Sequence, residues 1–273
     1  MENETTRQTP MRRKLIGRKL KLAKLAKGKM VRHQDIVDAV GSPRTLGRLE
    51  NGHATKLTYP VIGTLCDLYE MPAEEKFELQ RLWRLGPETT NWTQPRGRAI
   101  FGFDAFNELQ SQASVVTKYE TTFVPGPLQS ESTMRLLFSR NPELDAAAVD
   151  EEVRIRTQNQ RLFWSGDGPQ FHYLMSEAVL RMGCDAEQIA RLNEADSLDH
   201  ATVRYLPFSA GPPSLMHLPF TLLAFPAKHD ADVVFVEAQD AYLYFEEAES
   251  VQHYKTRLVA TDEMARSIKE FKL

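Results

Sequence analysis

The run Arg32-His33-Gln34-Asp35-Ile36-Val37-Asp38-Ala39-Val40-Gly41-Ser42-Pro43-Arg44-Thr45-Leu46-Gly47-Arg48-Leu49-Glu50-Asn51-Gly52 constrains the fold more than any other part of the chain. Ile36, Val37 and Val40 recur at helical spacing, and Gly41 then turns the backbone. Ser42 has the side chain that accepts orphan N–H groups at a helix start, and Pro43 suits the first helical position, where no N–H is required. Leu46 and Leu49 give the second helix its buried side, and Asn51-Gly52 stops it with a left-handed residue. Two short helices joined by so tight a turn form the helix-turn-helix unit, whose second helix fits the major groove of DNA.

Flanking patterns extend this unit to five helices. Ile16, Leu20 and Ala23, widened by Leu15, Leu22 and Leu25, predict a helix over 11–27 ended by Gly28. A helix over 60–69 carries Ile62, Leu65, Leu68 and Tyr69. Another, from Pro72 to Gly86-Pro87, carries Phe77, Leu79, Leu82 and Trp83. The expectation for 11–86 is an all-α, repressor-like domain, preceded by a disordered polar arm over 1–10 and followed by a linker over 87–100. Trp92 in that linker reads as a packing anchor.

Charge supports a polyanion partner at this end. Residues 1–60 hold 14 Lys and Arg against 5 Asp and Glu, whereas the rest of the chain holds 20 against 32. With Leu46 and Leu49 inside, the third helix turns Ser42, Pro43, Arg44, Thr45, Gly47 and Arg48 outward. Arginine reads guanine through O6 and N7, at roughly 1–3 kcal/mol of discrimination per pair. Arg44 and Arg48 are therefore the candidate base contacts. Ser42, Thr45, Asn51, Arg32 and His33 are candidates for phosphate or sugar, and Lys19, Lys21, Lys29 and Lys56 for salt-sensitive attraction. A carboxylate is repelled by phosphate, so Glu50 is assigned an ion pair with Lys24 instead.

The second part of the chain reads as an α+β domain over 101–273. Helices are expected over 104–118, 130–139, 145–164 and 186–195, with a helical turn after Ser176-Glu177 through Arg181. Strands are expected over 170–175, 202–207, 220–225, 233–237 and 241–245, making a mixed or antiparallel sheet of about five. Their aromatic residues read as core, with one face able to line an apolar pocket. Helices over 249–254 and 261–271 finish the chain, and Glu246, Glu247 and Glu249 read as a solvated face.

At this point the chain resembles the xenobiotic-response-element (Xre) type of helix-turn-helix regulators, in particular the WhiJ-like group of filamentous actinobacteria. The Ser42-Pro43 to Arg48-Leu49-Glu50-Asn51-Gly52 run is similar to that group's recognition helix. So are, in order, Tyr119-Glu120, Val124-Pro125-Gly126, Leu128-Gln129, Arg156 with Gln160, Glu177, and Leu206 to Gly211. Phe220 to Leu223 and Val236-Glu237 complete the match, which spans about 14–271. It implies a transcription regulator, often encoded beside a small partner protein, whose second domain has no assigned function and senses a ligand or binds that partner.

Catalytic constellations are not legible. The sequence has no Gly-x-Ser-x-Gly elbow, phosphate-cradling glycine loop or His-Glu-x-x-His pair, and its seven histidines lack ligand spacing. The expectation is a protein that is not an enzyme and takes no cofactor or metal. Glu177 is assigned a structural ion pair with Arg156. Cys66 and Cys184 fit no disulfide framework, and neither a leader segment nor a membrane span is readable, so a cytoplasmic location is expected. A homodimer on double-stranded DNA, under control of a ligand or small protein, is the leading reading. An antitoxin-like protein that sequesters a small partner and regulates its own operon is the alternative.

Overall fold

A computed structural model describes residues 10–28, 32–86, 89, 91–95, 106, 109–213, 218–226 and 231–273. The chain forms two compact units. The first comprises Met1–Glu108, Pro226–Val233 and Ala238–Ala248, and the second comprises Leu109–Phe225, Val234–Glu237 and Glu249–Leu273. Helices dominate the first part of the chain. Eight strands, numbered in chain order, follow among the described residues.

The first unit contains α1 (Met11–Lys27), α2 (His33–Val40), α3 (Pro43–Glu50), α4 (Tyr59–Leu68) and α5 (Ala73–Arg84). Leu15, Ile16 and Leu20 of α1 are buried with Ile36, Val40, Leu46, Leu49, Ile62, Leu65, Leu79 and Leu82. The apolar stripe of α1 goes underground only in its first half, because Leu22 and Leu25 are 53% and 62% exposed. Phe77, expected inside, is exposed as well.

Two glycines set how closely α1 and α3 approach. A Cβ on Gly17 would stand 2.1 Å from the carbonyl oxygen of Leu49. A Cβ on Gly52 would stand 2.6 Å from the Cα of Lys14, and Gly52 also has φ +71°. Only glycine satisfies both demands at that second position. The end of α3 thus lies backbone to backbone on α1.

The unit extends beyond the helices of 11–86, and residues 91–95 of the expected linker form a strand. Residues Asn91–Pro95 form β1, antiparallel to β7 (Ala241–Phe245), with Trp92 opposite Tyr244. Their rings stack at 4.1 Å. The pairing partner lies some 150 residues downstream, so no local pattern announces it. Trp92 is the packing anchor, and it also donates its indole N–H to Glu246 at 2.7 Å.

Glu246 is the larger departure, since a solvated face was expected and the side chain is only 5% exposed. Its second oxygen accepts the Met11 backbone N–H at 2.5 Å. Pro10, the residue before α1, offers no side-chain cap, so a carboxylate from just beyond β7 takes that role. The neighbouring Arg12, fully buried, donates to the carbonyls of Leu85, Gly86 and Thr89 at 2.8–3.0 Å. A guanidinium at the end of α5 suits the partial negative charge there.

In the second unit, β2 (Val115–Glu120) lies between β3 (Gln170–Ser176), which is parallel to it, and β5 (Phe220–Ala224), which is antiparallel. β4 (Ala201–Leu206) extends the parallel set beside β3, and the two-residue β8 (Arg266–Ser267) pairs antiparallel with β4. Most of β6 (Val233–Glu237) belongs to this unit. Parallel neighbours need long crossovers. The first contains α6 (Glu131–Phe138), α7 (Ala146–Asn159) and α8 (Arg161–Ser165), and the second contains α9 (Glu177–Arg181) and α10 (Ala186–Ala195). Ser130, Asp145, Ser176 and Asp185 each accept a backbone N–H at the start of one of these helices.

Several expected boundaries change here. The helix expected over 104–118 gives way to β2 at Val115, where the Val115-Val116-Thr117 run favours a strand. The single helix expected over 145–164 breaks at Gln160. The last two expected helices are one, α11 (Ala248–Asp262), followed by β8 and a 3-10 turn at Ile268–Glu270. Among the described residues there are eight strands where about five were expected, because β1, β2 and β8 carry no pattern that the sequence reading identifies. Residues 1–9 of the expected arm at 1–10 and most of the linker at 87–100 lie outside the described residues.

Two predictions follow from the first unit. Gly17→Ala should lower the denaturant midpoint by an amount equivalent to about 1–3 kcal/mol, since overpacking against backbone exceeds the roughly 1 kcal/mol gained in helix propensity. An unchanged or higher midpoint would contradict the close approach. Glu246→Gln keeps one acceptor but sets its amide N–H₂ against the second donor, at a cost of about 1–3 kcal/mol. Burial raises the Glu246 carboxyl above its ordinary value, outweighing the hydrogen bonds from Met11 and Trp92 and the charge of Arg12. A raised acid contributes stability fully below its unfolded-state value and loses it as pH rises through the folded value. The stability difference between wild type and Glu246→Gln should therefore grow as pH falls from neutral towards the ordinary glutamate range. A difference that shrinks on acidification would refute this assignment.

Candidate nucleic-acid interface

The second helix of the helix-turn-helix unit is fixed at both ends by its own sequence. Ser42 is extended and its Oγ accepts the Thr45 N–H at 3.0 Å, while the two hydroxyl oxygens lie 2.9 Å apart. Asn51 donates its side-chain N–H to the carbonyl of Gly47 at 2.7 Å. Ser42, Thr45 and Asn51 are thus engaged with the backbone or side chains of α3 and its cap. A phosphate contact from any of them would share or replace one of these bonds.

With Leu46 and Leu49 buried, Pro43, Arg44 and Arg48 are exposed. Arg44 forms no hydrogen bond or ion pair among the described residues. Arg48 folds onto the loop beyond α3, donating twice to the carbonyl of Ala54 at 2.8 and 3.2 Å. Gly47 lies between the two arginines in sequence. A Cβ there would meet nothing within 4 Å, and its φ is not left-handed. The fold does not require glycine at this position, yet its presence costs the helix about 1 kcal/mol relative to alanine. Helical periodicity alone puts Gly47 on the outward face and assigns it no role. Its signal was a glycine inside an eight-residue helix away from either cap.

The basic excess of this unit is selectively neutralised. Lys24 is ion-paired with Glu50, Lys27 with Glu70, Lys76 with Asp67, and Arg81 with Glu78. Lys19 lies 3.1 Å from Glu75, and Arg32 grips Asp35 through two bonds of 2.7 and 2.9 Å. Those two expected backbone contacts therefore carry carboxylates of their own. Lys21, Lys56 and His33 are exposed and form no ion pair among the described residues. The last of the expected lysines, Lys29, lies outside the described residues. Beside Arg44, the uncompensated charge among the expected contacts thus rests on Lys21 and Lys56, with Arg48 held by a neutral carbonyl.

One expected pair does not form. Arg156 donates to Gln129 at 2.9 Å, whereas Glu177 accepts from Arg181 and from the Phe208 N–H at 2.7 Å. The salt bridge between Arg156 and Glu177 is replaced because α9 turns its first residue towards its own last turn and the chain beyond β4. Elsewhere, Cys66 and Cys184 are free thiols raised by burial to about 12 and about 11. Among the described residues no group of His, Cys, Asp and Glu is placed to hold a metal ion, and no helix is long and apolar enough to cross a membrane.

No curated protein matches the chain. Among solved structures it is similar to TrmBL2, an archaeal chromatin protein whose structure is described as showing a novel mode of DNA binding. Identity is 11% and the TM-score 0.33, with 70% of this chain and 60% of that chain covered. This chain thus spans 60% of that relative's length, and a likeness at this level carries no functional argument. The family comparison is firmer. Residues 103–270, more than half of the chain, match the model described as Domain of unknown function (DUF5753), and the chain belongs to that family.

Proposed function

We propose that this chain is a sequence-specific DNA-binding transcription regulator of the Xre helix-turn-helix type, acting as a homodimer and not as an enzyme. In this reading α3 enters the major groove, with Arg44 and Arg48 at base edges and His33, Lys21 and Lys56 near phosphates. Arg48 exchanges the Ala54 carbonyl for a base. Lys19 and Arg32 join the phosphate contacts by exchanging their carboxylates. The second unit supplies dimerisation and control by a ligand or a small protein.

The observation that carries the reading is the outward face of α3. It combines a free Arg44 with a glycine that the fold does not need, inside a helix whose start and end are both capped. A bare Cα flanked by arginines lets a helix backbone come close to a polyanion, and the charge pattern of the unit leaves Arg44 unneutralised. A single helix-turn-helix reads only a short half-site, so two copies are expected on one operator.

The test is selection of bound fragments from the source genome at moderate salt, with wild type and an Arg44→Ala, Arg48→Ala double variant in parallel. Wild type should enrich a motif of two half-sites about one helical turn apart, or a multiple of that spacing. The double variant should lose the motif while keeping its melting midpoint. Enrichment of the same motif by both proteins, or of nothing by wild type, would overturn the proposal.

A further inference from the structure

Within the second unit, the turn at 126–129 has all four of its carbonyl oxygens satisfied by side chains. Gln160 donates to Gly126 and Gln129 at 2.8 Å, Trp164 to Pro127 at 3.0 Å, and Gln188 to Leu128 at 2.8 Å. An irregular turn packed this deeply needs such donors. It has them without any arginine.

Two guanidinium groups are nevertheless fastened to this network. Arg156 donates to the side-chain oxygen of Gln129 at 2.9 Å, and Arg191 to that of Gln160 at 2.8 Å. Because Gln160 also bonds the backbone of Gln129, one hydrogen-bonded chain carries both cations. A Cβ on Gly126 would stand 2.8 Å from Nη1 of Arg156, so glycine makes the space in which that group lies. Arg191 lies over the half-exposed Trp164 ring at 4.4 Å, and its buried Nε–H has no acceptor.

Neither arginine forms an ion pair among the described residues. Glu152 and Glu237 act on Arg156 only through space, as Glu187 and Glu194 do on Arg191. The contrast with the other perturbed arginines is internal to the molecule. Arg32, Arg81, Arg135 and Arg154 are raised by hydrogen-bonded carboxylates, whereas burial lowers Arg156 and Arg191. Burying part of a guanidinium without an anion is costly, and a fork of N–H donors matches an oxyanion.

We propose that Arg156 and Arg191, held by Gln129 and Gln160, form a binding site for a compact oxyanion, the phosphate or carboxylate group of a small ligand. This deepens the reading above, since it rests on the second unit being the one that receives the controlling input. Trp164, in contact with Arg191, reports occupancy.

The experiment titrates the full chain with inorganic phosphate and, separately, with succinate, at ionic strength held constant with chloride. Trp164 fluorescence and the melting midpoint are read, with Trp164→Phe as the optical control. A saturable change with at least one probe is expected, weakened about tenfold or more in Arg156→Gln and in Arg191→Gln, as for the loss of a charge-assisted bond. The two titrations separate phosphate from carboxylate recognition. If a glutamine variant does not fold, Arg156→Lys or Arg191→Lys replaces it, keeping the charge but not the fork, and should still bind more weakly than wild type. No saturable change with either probe, or equal binding by the variants, overturns the proposal. The titration contains no DNA, so its failure leaves the DNA-binding reading standing, and a failed selection of genomic fragments leaves this site standing.

Discussion

The contact of α3 with α1 is the constraint on which the surface proposed to face DNA depends. At Gly17, and at Gly52 just beyond α3, an added Cβ would run into backbone atoms of the facing segment, so the end of α3 is held close to the α1 backbone. Backbone contact is far less compliant than contact through long side chains, and packed interiors pass small displacements on. Leu46 and Leu49 are then committed inward, and the opposite side of the same short helix is committed outward. Lys24 and Glu50 add an ion pair across this junction.

The other end of α1 is held differently. Met11 is capped by Glu246 and Arg12 closes the end of α5, so the helix that carries α3 is anchored by one carboxylate and one guanidinium. Glu246 follows β7 directly, and α11 begins two residues later at Ala248. A change in the path of the chain at β7 therefore reaches the start of α1 through the buried Glu246 side chain. Removing water from that carboxylate makes the contact sensitive to any loss of its donors.

Much of the first unit was legible because its signals are local. Ser42-Pro43 and Asn51-Gly52 bracket α3, and the periodic Leu, Ile and Val of the neighbouring helices mark the core. The two strands β6 and β7 were legible for the same reason, as short runs of β-branched and aromatic residues bounded by Gln239-Asp240. What escaped depends on distant partners. Trp92 becomes part of a strand only opposite Tyr244, Glu246 becomes buried only against Met11 and Trp92, and β8 is too short to show a period. Val115 to Lys118 is a local signal that the expected helix wrongly absorbs, a β-branched run that begins β2. At the interface itself the sequence indicated which residues face outward. It did not indicate that Lys19 and Arg32 carry carboxylates, nor that Gly47 is free of any internal demand.

That last point offers the most direct test of the whole account, because fold and function should respond to Gly47→Ala with opposite signs. An added methyl meets nothing inside the protein and removes a helix-interior glycine, so the melting midpoint should rise by the equivalent of up to about 1 kcal/mol. Affinity for the selected operator should fall at the same time, since the methyl stands on the surface proposed to approach DNA. A raised midpoint with undiminished operator affinity would show that the outward face of α3 is not the DNA-contacting surface.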